Sequence, residues 1–170
     1  FRGLLDANPW VEEIELSNYG EILLNPELPG ILQCAHERKV VLTADNGVNL
    51  NHATEAALEA MVKYGLRCML CSIDGASQET YSVYRVKGDF DRVIGNIRKL
   101  NEFKVRDRSE FPRLTWQFVI FGHNEHEIER ARALATERGM AFQMKLNWDA
   151  EFSPVRDKDI ARKAVGYSSR

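Results

Sequence analysis

No apolar run in this 170-residue chain approaches the roughly 20 residues needed to span a bilayer, and no stretch reads as a secretory signal. The sequence therefore predicts no membrane partner and a cytoplasmic location. An excess of positive charge is also missing: 23 Lys and Arg face 25 Asp and Glu, a formal net charge of −2. Proteins that live on phosphate backbones usually carry a basic excess, so no nucleic-acid partner is expected. Cysteine is scarce. Three cysteines cannot all pair within one chain, which argues against a disulfide scaffold and fits a reducing compartment. There is no Gly-x-x-x-x-Gly-Lys phosphate loop, no internal repeat and no low-complexity stretch. What remains has the composition of a globular domain, 44% hydrophobic and 28% charged, and is long enough to bury a sizeable core.

The hydrophobic pattern alternates between two periods. Phe1, Leu4 and Leu5 keep helical spacing with no capping residue before them, which reads as the last turns of a helix and the chain as a piece of a longer protein. Apolar or β-branched runs predict strands over 11–16, 40–43, 66–73, 114–121 and 141–146. Helical spacing predicts helices over 27–39, 53–64, 90–103 and 125–138, with a short closing helix over 157–165. Residues 17–21 and 44–48 read as turns, and 166–170 as a polar trailing segment. Strands alternating with helices of about a dozen residues mean right-handed βαβ units and a parallel α/β sheet. On this reading 1–150 form the core domain and 151–170 an extension.

In a parallel α/β sheet, ligands bind at the carboxyl ends of the strands. Here those ends carry Ser17–Glu21, Thr43–Gly47, Ser72–Gly75, Gly122–Asn124 and Asn147–Asp149, each with hydroxyls, amides or carboxylates and often with glycine. Other arrangements are weaker. Cys68 and Cys71 have the spacing of a metal or redox pair, but lie within an apolar strand, where residues three apart face opposite sides. They read as core cysteines, as does Cys34 on its helix. His123 and His126, among Glu125, Glu127 and Glu129, have metal-like spacing but also suit an acidic helix N-terminus. Asp89 reads as a helix cap.

Four segments in register resemble the radical S-adenosylmethionine enzymes, in particular members with a second cluster-binding (SPASM-like) domain. Tyr19-Gly20-Glu21 followed by Ile-Leu-Leu-Asn-Pro resembles their Gly-Gly-Glu-Pro-Leu segment, and Thr43 to Gly47 their Thr-Asn-Gly turn. Cys71-Ser72-Ile73-Asp74-Gly75 resembles their Ser-Ile-Asp-Gly strand end, with Glu79 to Arg85 and Gly88 to Ile97 following. Trp116 to Glu125 resembles the next strand and turn. The resemblance spans Val11 to Trp148. It implies an incomplete TIM-like barrel, about five strands of a six-stranded core.

The resemblance also implies chemistry. In this family a Cys-x-x-x-Cys-x-x-Cys motif holds a [4Fe–4S] cluster, which reduces the sulfonium of S-adenosylmethionine. The resulting 5′-deoxyadenosyl radical takes hydrogen from a substrate. No such triplet occurs in this chain, and Tyr19 replaces the first glycine of the usual pair. The implied cosubstrate residues are Gly20, Glu21, Asn46, Ser72, Asp74 and Arg85. Glu21 would bind the ammonium. Ser72 and Asp74 would meet ribose hydroxyls or the carboxylate, and Arg85 that carboxylate. Gln117, polar within an apolar strand, either faces the lumen or satisfies a buried partner; Asn147 and Trp148 would lie near adenine. The partners implied are a small-molecule or peptide substrate and an electron-donor protein. Two alternatives are a cluster-less binding or scaffold module and a non-redox α/β-barrel enzyme, for which Lys145 is the Schiff-base candidate.

Overall fold

A computed structural model of the chain describes residues 1–149 and 151–165. Its strands are β1 (Glu13–Glu15), β2 (Val41–Val48), β3 (Cys68–Ser72), β4 (Arg113–Ile120) and β5 (Ala141–Leu146). They form one sheet in sequence order, and every adjacent pair is parallel. The helices are α1 (Arg2–Ala7), α2 (Leu28–Glu37), α3 (Glu55–Lys63), α4 (Gln78–Tyr84), α5 (Phe90–Asp107), α6 (Ile128–Glu137) and α7 (Lys158–Val165).

Period decides the core. Leu42, Ala44, Met69, Cys71, Leu114, Trp116, Phe118 and Ile120 alternate along their strands and are buried against the apolar stripes of the helices. Those stripes include Leu28, Leu32 and Ala35 of α2, Leu58 and Met61 of α3, Val93, Ile97 and Leu100 of α5, and Ala131 and Ala135 of α6. The alternate positions make a polar second face: Glu15, Thr43, Asp45, Cys68, Ser72, Thr115, Gln117, Gln143 and Lys145. Cys68 and Cys71 accordingly differ. Cys71 lies with Met69 and Trp116 in the core, whereas Cys68 donates its thiol to Asp45 at 3.0 Å.

Two expectations need correcting. Residues 44–48 are not a turn: β2 continues through them to Val48, with a bulge between Ala44 and Val48 where it pairs with β3. The Asp45 and Asn46 amides have acceptors on β1 and its loop, Glu15 and Ser17, which hold this glycine-containing stretch extended. The segment over 78–84 is a helix that periodicity did not predict. Ser77 caps it by accepting from the Thr80 amide, and only Thr80 and Tyr81 of its residues are buried. A single buried pair leaves no stripe to read. The trailing segment 166–170 lies outside the described residues.

Candidate functional site

Because all strands run parallel, their carboxyl ends share one edge of the sheet, and side chains tie the loops there together. Glu15, at the end of β1, is the first tie. One of its carboxylate oxygens accepts from the Ser17 amide and hydroxyl, at 2.7 and 2.5 Å. The other accepts from the Thr43 hydroxyl and the Asp45 amide, at 2.8 and 2.9 Å. Burial opposes its ionisation, but hydrogen bonds from Ser17, Asp45 and Thr43 prevail and hold its pKa below the usual carboxylate value. Glu21 repeats the device one loop later, accepting from the Leu23 amide at 3.3 Å and the Asn49 amide at 2.7 Å. Gly20 precedes it in a left-handed conformation, φ 73°. Asn46 is exposed; its amide donates to Ser17 Oγ at 2.8 Å and its side chain to Asn18 at 3.5 Å. These contacts join the loops after β1 and β2.

The floor lies on β2, β3 and β4. Gly47, at φ 110°, approaches so closely that a Cβ there would sit 2.8 Å from Ser72 Oγ. Ser72 is register partner to Gln117, and Gln117 to Gln143, so three polar side chains cross the second face in one row. Ser72 and Gln117 are only 7% and 9% exposed. Among the described residues neither side chain makes a hydrogen bond. Their polar atoms remain open to solvent, so the two offer a hydroxyl and an amide to a polar ligand.

Asp74 and Arg85 meet, but mostly each other. Arg85 Nε and Nη2 donate to one Asp74 oxygen at 2.7 and 2.6 Å, and the Val119 amide donates to the other at 2.8 Å. Asp74 is wholly buried, so its role differs from the expected contact with ligand hydroxyls: its carboxylate is spent holding Arg85. Burial pushes the Asp74 pKa up, and Arg85 and the Val119 amide work against that rise. The Arg85 side chain stays 24% exposed and lies over the Tyr84 ring at 5.2 Å, with Nη1 left for another acceptor.

Two buried residues outside the expected cosubstrate set hold this arrangement. Asn124 donates to the carbonyls of Asp74 and Val119, both at 2.9 Å, and accepts from the Phe121 amide. Glu127, read as one of several acids at a helix start, turns inward to accept from the Ala76 amide at 2.7 Å and from the Thr80 hydroxyl. It pins the start of α4 and so the helix end that carries Arg85. The run Asn124-Glu-His-Glu127 holds four polar residues, but not a signal for which turn inward. Of the remaining candidates, Lys145 lies 5.4 Å from the Trp148 ring, and Asn147 donates to the Asp149 and Phe152 carbonyls.

The donor set suits one group and not another. For S-adenosylmethionine the donor types fit: a carboxylate (Glu21), an accessible hydroxyl without a protein partner (Ser72), a close glycine backbone (Gly47) and a guanidinium with donors to spare (Arg85) lie along the carboxyl edge of the sheet. For an iron–sulfur cluster they do not. Cys34 is on α2, Cys68 and Cys71 face opposite sides of β3, and burial pushes both β3 thiols up to about 12. Among the described residues no three His, Cys, Asp or Glu could hold a metal ion. A surface cleft of about 740 Å³, lined by His36, Lys63, Arg106 and Phe111 among others, lies at the amino end of the sheet, away from these groups.

No known family pattern matches the chain, and no curated protein is significantly similar to it in sequence. Among solved structures it is similar to Streptococcus suis SuiB, with a TM-score of 0.67 and 14% identity over 87% of this chain and 33% of that one. SuiB bound to S-adenosylmethionine gives 0.63 at 14% identity, over 84% of this chain and 33% of that one. SuiB bound to the precursor peptide SuiA gives 0.64 at 14% identity, over 87% and 33%. The chain thus spans about a third of the length of the structures it matches. At this identity the likeness is one of fold: a partial TIM-like barrel of sequential parallel βα units.

Proposed function

We propose that this chain is the S-adenosylmethionine-binding part of a radical S-adenosylmethionine enzyme that acts on a peptide. What supports the reading is a set of polar groups along the carboxyl edge of the sheet, Glu21 tied to Asn49, Gly47 close against Ser72 and Arg85 held on Asp74, in a fold similar to that of SuiB, a protein solved with S-adenosylmethionine and with a precursor peptide. Bound there, the cosubstrate supplies radical chemistry when it is reduced. The reducing cluster and its electron donor fall to parts of the protein other than these cysteines. This chain binds, orients and shields. Glu21 offers remaining lone pairs to an ammonium, Ser72 a hydroxyl to a polar oxygen, and Arg85 its free donors to a carboxylate. Asp74, Asn124 and Glu127 fix Arg85 in place. Gln117, Gln143 and Lys145 continue the polar face across β4 and β5, where a substrate would lie. SPASM-like features beyond this core, and a cytoplasmic location, belong to the same proposal. No helix among the described residues is long and apolar enough to cross a membrane.

Calorimetric titration with S-adenosylmethionine tests the reading. The chain is expected to bind weakly, without help from a cluster. Glu21→Ala and Ser72→Ala should each weaken binding by about 1–3 kcal/mol, the cost of a lost charge-assisted or buried hydrogen bond. No binding by the chain, or unchanged affinity in both variants, would overturn it.

A further inference from the structure

After β5 the chain doubles back, and residues 151–157 lie across the loop that follows β4. Ser153 is the fastening point. Its carbonyl accepts from the Gly122 amide at 2.7 Å, and its hydroxyl contacts both the His123 amide at 3.1 Å and His123 Nδ1 at 2.8 Å. Downstream, the Arg156 and Asp157 amides donate to one Glu125 oxygen at 2.9 and 3.2 Å. Gly122 has to be glycine for the two segments to touch, since a Cβ would sit 2.2 Å from the Pro154 carbonyl oxygen. Phe152 completes the contact, its ring 5.6 Å from Phe121, 5.9 Å from Tyr84 and 6.3 Å from His123. Tyr84 in turn lies beneath the Arg85 guanidinium. The strap therefore rests on the aromatic wall beside the Arg85–Asp74 pair.

Two features mark this closure. Ser153 has φ 49°, a left-handed conformation that an L-residue keeps only when its surroundings over-determine it. His123 Nε2 is buried and has no hydrogen-bond partner among the described residues, while the ring stacks on Phe121 at 5.1 Å. A neutral imidazole tolerates that position; an imidazolium would place a charged N–H where no acceptor waits. We propose that residues 151–157 are a latch over the Arg85 side of the site, closed while His123 is neutral and released when it is protonated. Protonation also reverses the Ser153 contact. Nδ1 becomes an obligatory donor, and the Ser153 hydroxyl hydrogen has to turn elsewhere.

The surrounding charges decide where the latch trips. Asp74, on the loop after β3, favours the imidazolium, but its carboxylate is already held by Arg85 of α4. His126, on the same loop as His123, disfavours it. Glu125 is occupied by the strap amides. Burial is the largest influence and lowers the His123 pKa below the usual 6.5. The folded value is depressed, so the closed state is fully favoured above the unfolded value. That preference is lost as pH falls through the folded one.

Amide hydrogen exchange on the chain, from about pH 7.5 to about pH 5.5, reads the latch. Corrected for intrinsic rates, protection of Gly122, Arg156 and Asp157 should fall by up to about tenfold per unit of pH between the free-imidazole value of 6.5 and the His123 midpoint, while Met69 and Leu70 of β3 stay protected. His123→Phe keeps the stacking but cannot titrate, and should make strap protection independent of pH over this range. The His123 ring resonances supply a second measurement that needs no variant. Their midpoint should lie below 6.5 and coincide with the loss of strap protection. Constant protection in the wild type, a pH dependence that survives in His123→Phe, or two midpoints that disagree would each overturn the proposal. None of these readouts requires S-adenosylmethionine, so the latch and the proposed function can fail independently.

Discussion

Single carboxylates knit the carboxyl end of this sheet, and Glu15 shows how. Its two oxygens take donors from Ser17 on the following loop and from Thr43 and Asp45 of β2, 28 and 30 residues away in sequence. Glu15→Gln replaces one acceptor oxygen by an amide NH2, a donor facing donors. It should destabilise the chain by about 1–3 kcal/mol near neutral pH, measured by urea denaturation. The folded pKa is depressed below 4.5, so the ionised form's contribution is complete above about that pH and is lost as pH falls through the folded value. The wild-type and Glu15→Gln curves should therefore converge in acid. A constant gap between them would mean that the lost stability is not that of the charge. Nothing in the alternation Val11-Glu-Glu-Ile-Glu distinguishes Glu15 from Glu13, which is exposed; only the pairing of β1 with β2 separates them.

At the scale of elements, the sequence is most legible where burial is one-sided. The helices α2, α3, α5 and α6 each present an apolar stripe, and each was predictable from spacing. The far half of β2 was not, because its glycine and polar residues resemble a turn until a neighbouring strand supplies acceptors for their amides. Helix α4 escaped for the opposite reason: it is fixed mainly by polar anchors, Ser77 at its cap and Glu127 from another loop. Its end delivers Arg85 to Asp74, a pair whose burial sets the cost of breaking it. Arg85→Ala leaves an uncompensated carboxylate in a fully buried position and should cost about 3–5 kcal/mol in urea denaturation. The double variant Asp74→Asn with Arg85→Met should recover part of that loss. A cost within about 1 kcal/mol for Arg85→Ala would assign the pair the energy of a surface ion pair and contradict its structural role.

For the whole molecule, strand order dictates where chemistry can gather. Five parallel strands in sequence place the strand ends and loops carrying Glu21, Gly47, Ser72 and Arg85 along one edge, although 64 positions separate Glu21 from Arg85. The fold and that edge were legible, since both follow from alternating periods. Which side chains stay available was not, since that depends on partners: Asp74 is consumed by Arg85, while Ser72 and Gln117 remain open. The central claim is that the open groups at this edge receive S-adenosylmethionine. The most direct test is an NMR titration of the isotope-labelled chain with millimolar S-adenosylmethionine. The account predicts amide shifts concentrated at Gly20, Glu21, Gly47, Ser72 and the Arg85 loop, and none at the amino-end cleft around His36 and Arg106. Shifts confined to that cleft, or no shifts at all, would contradict it.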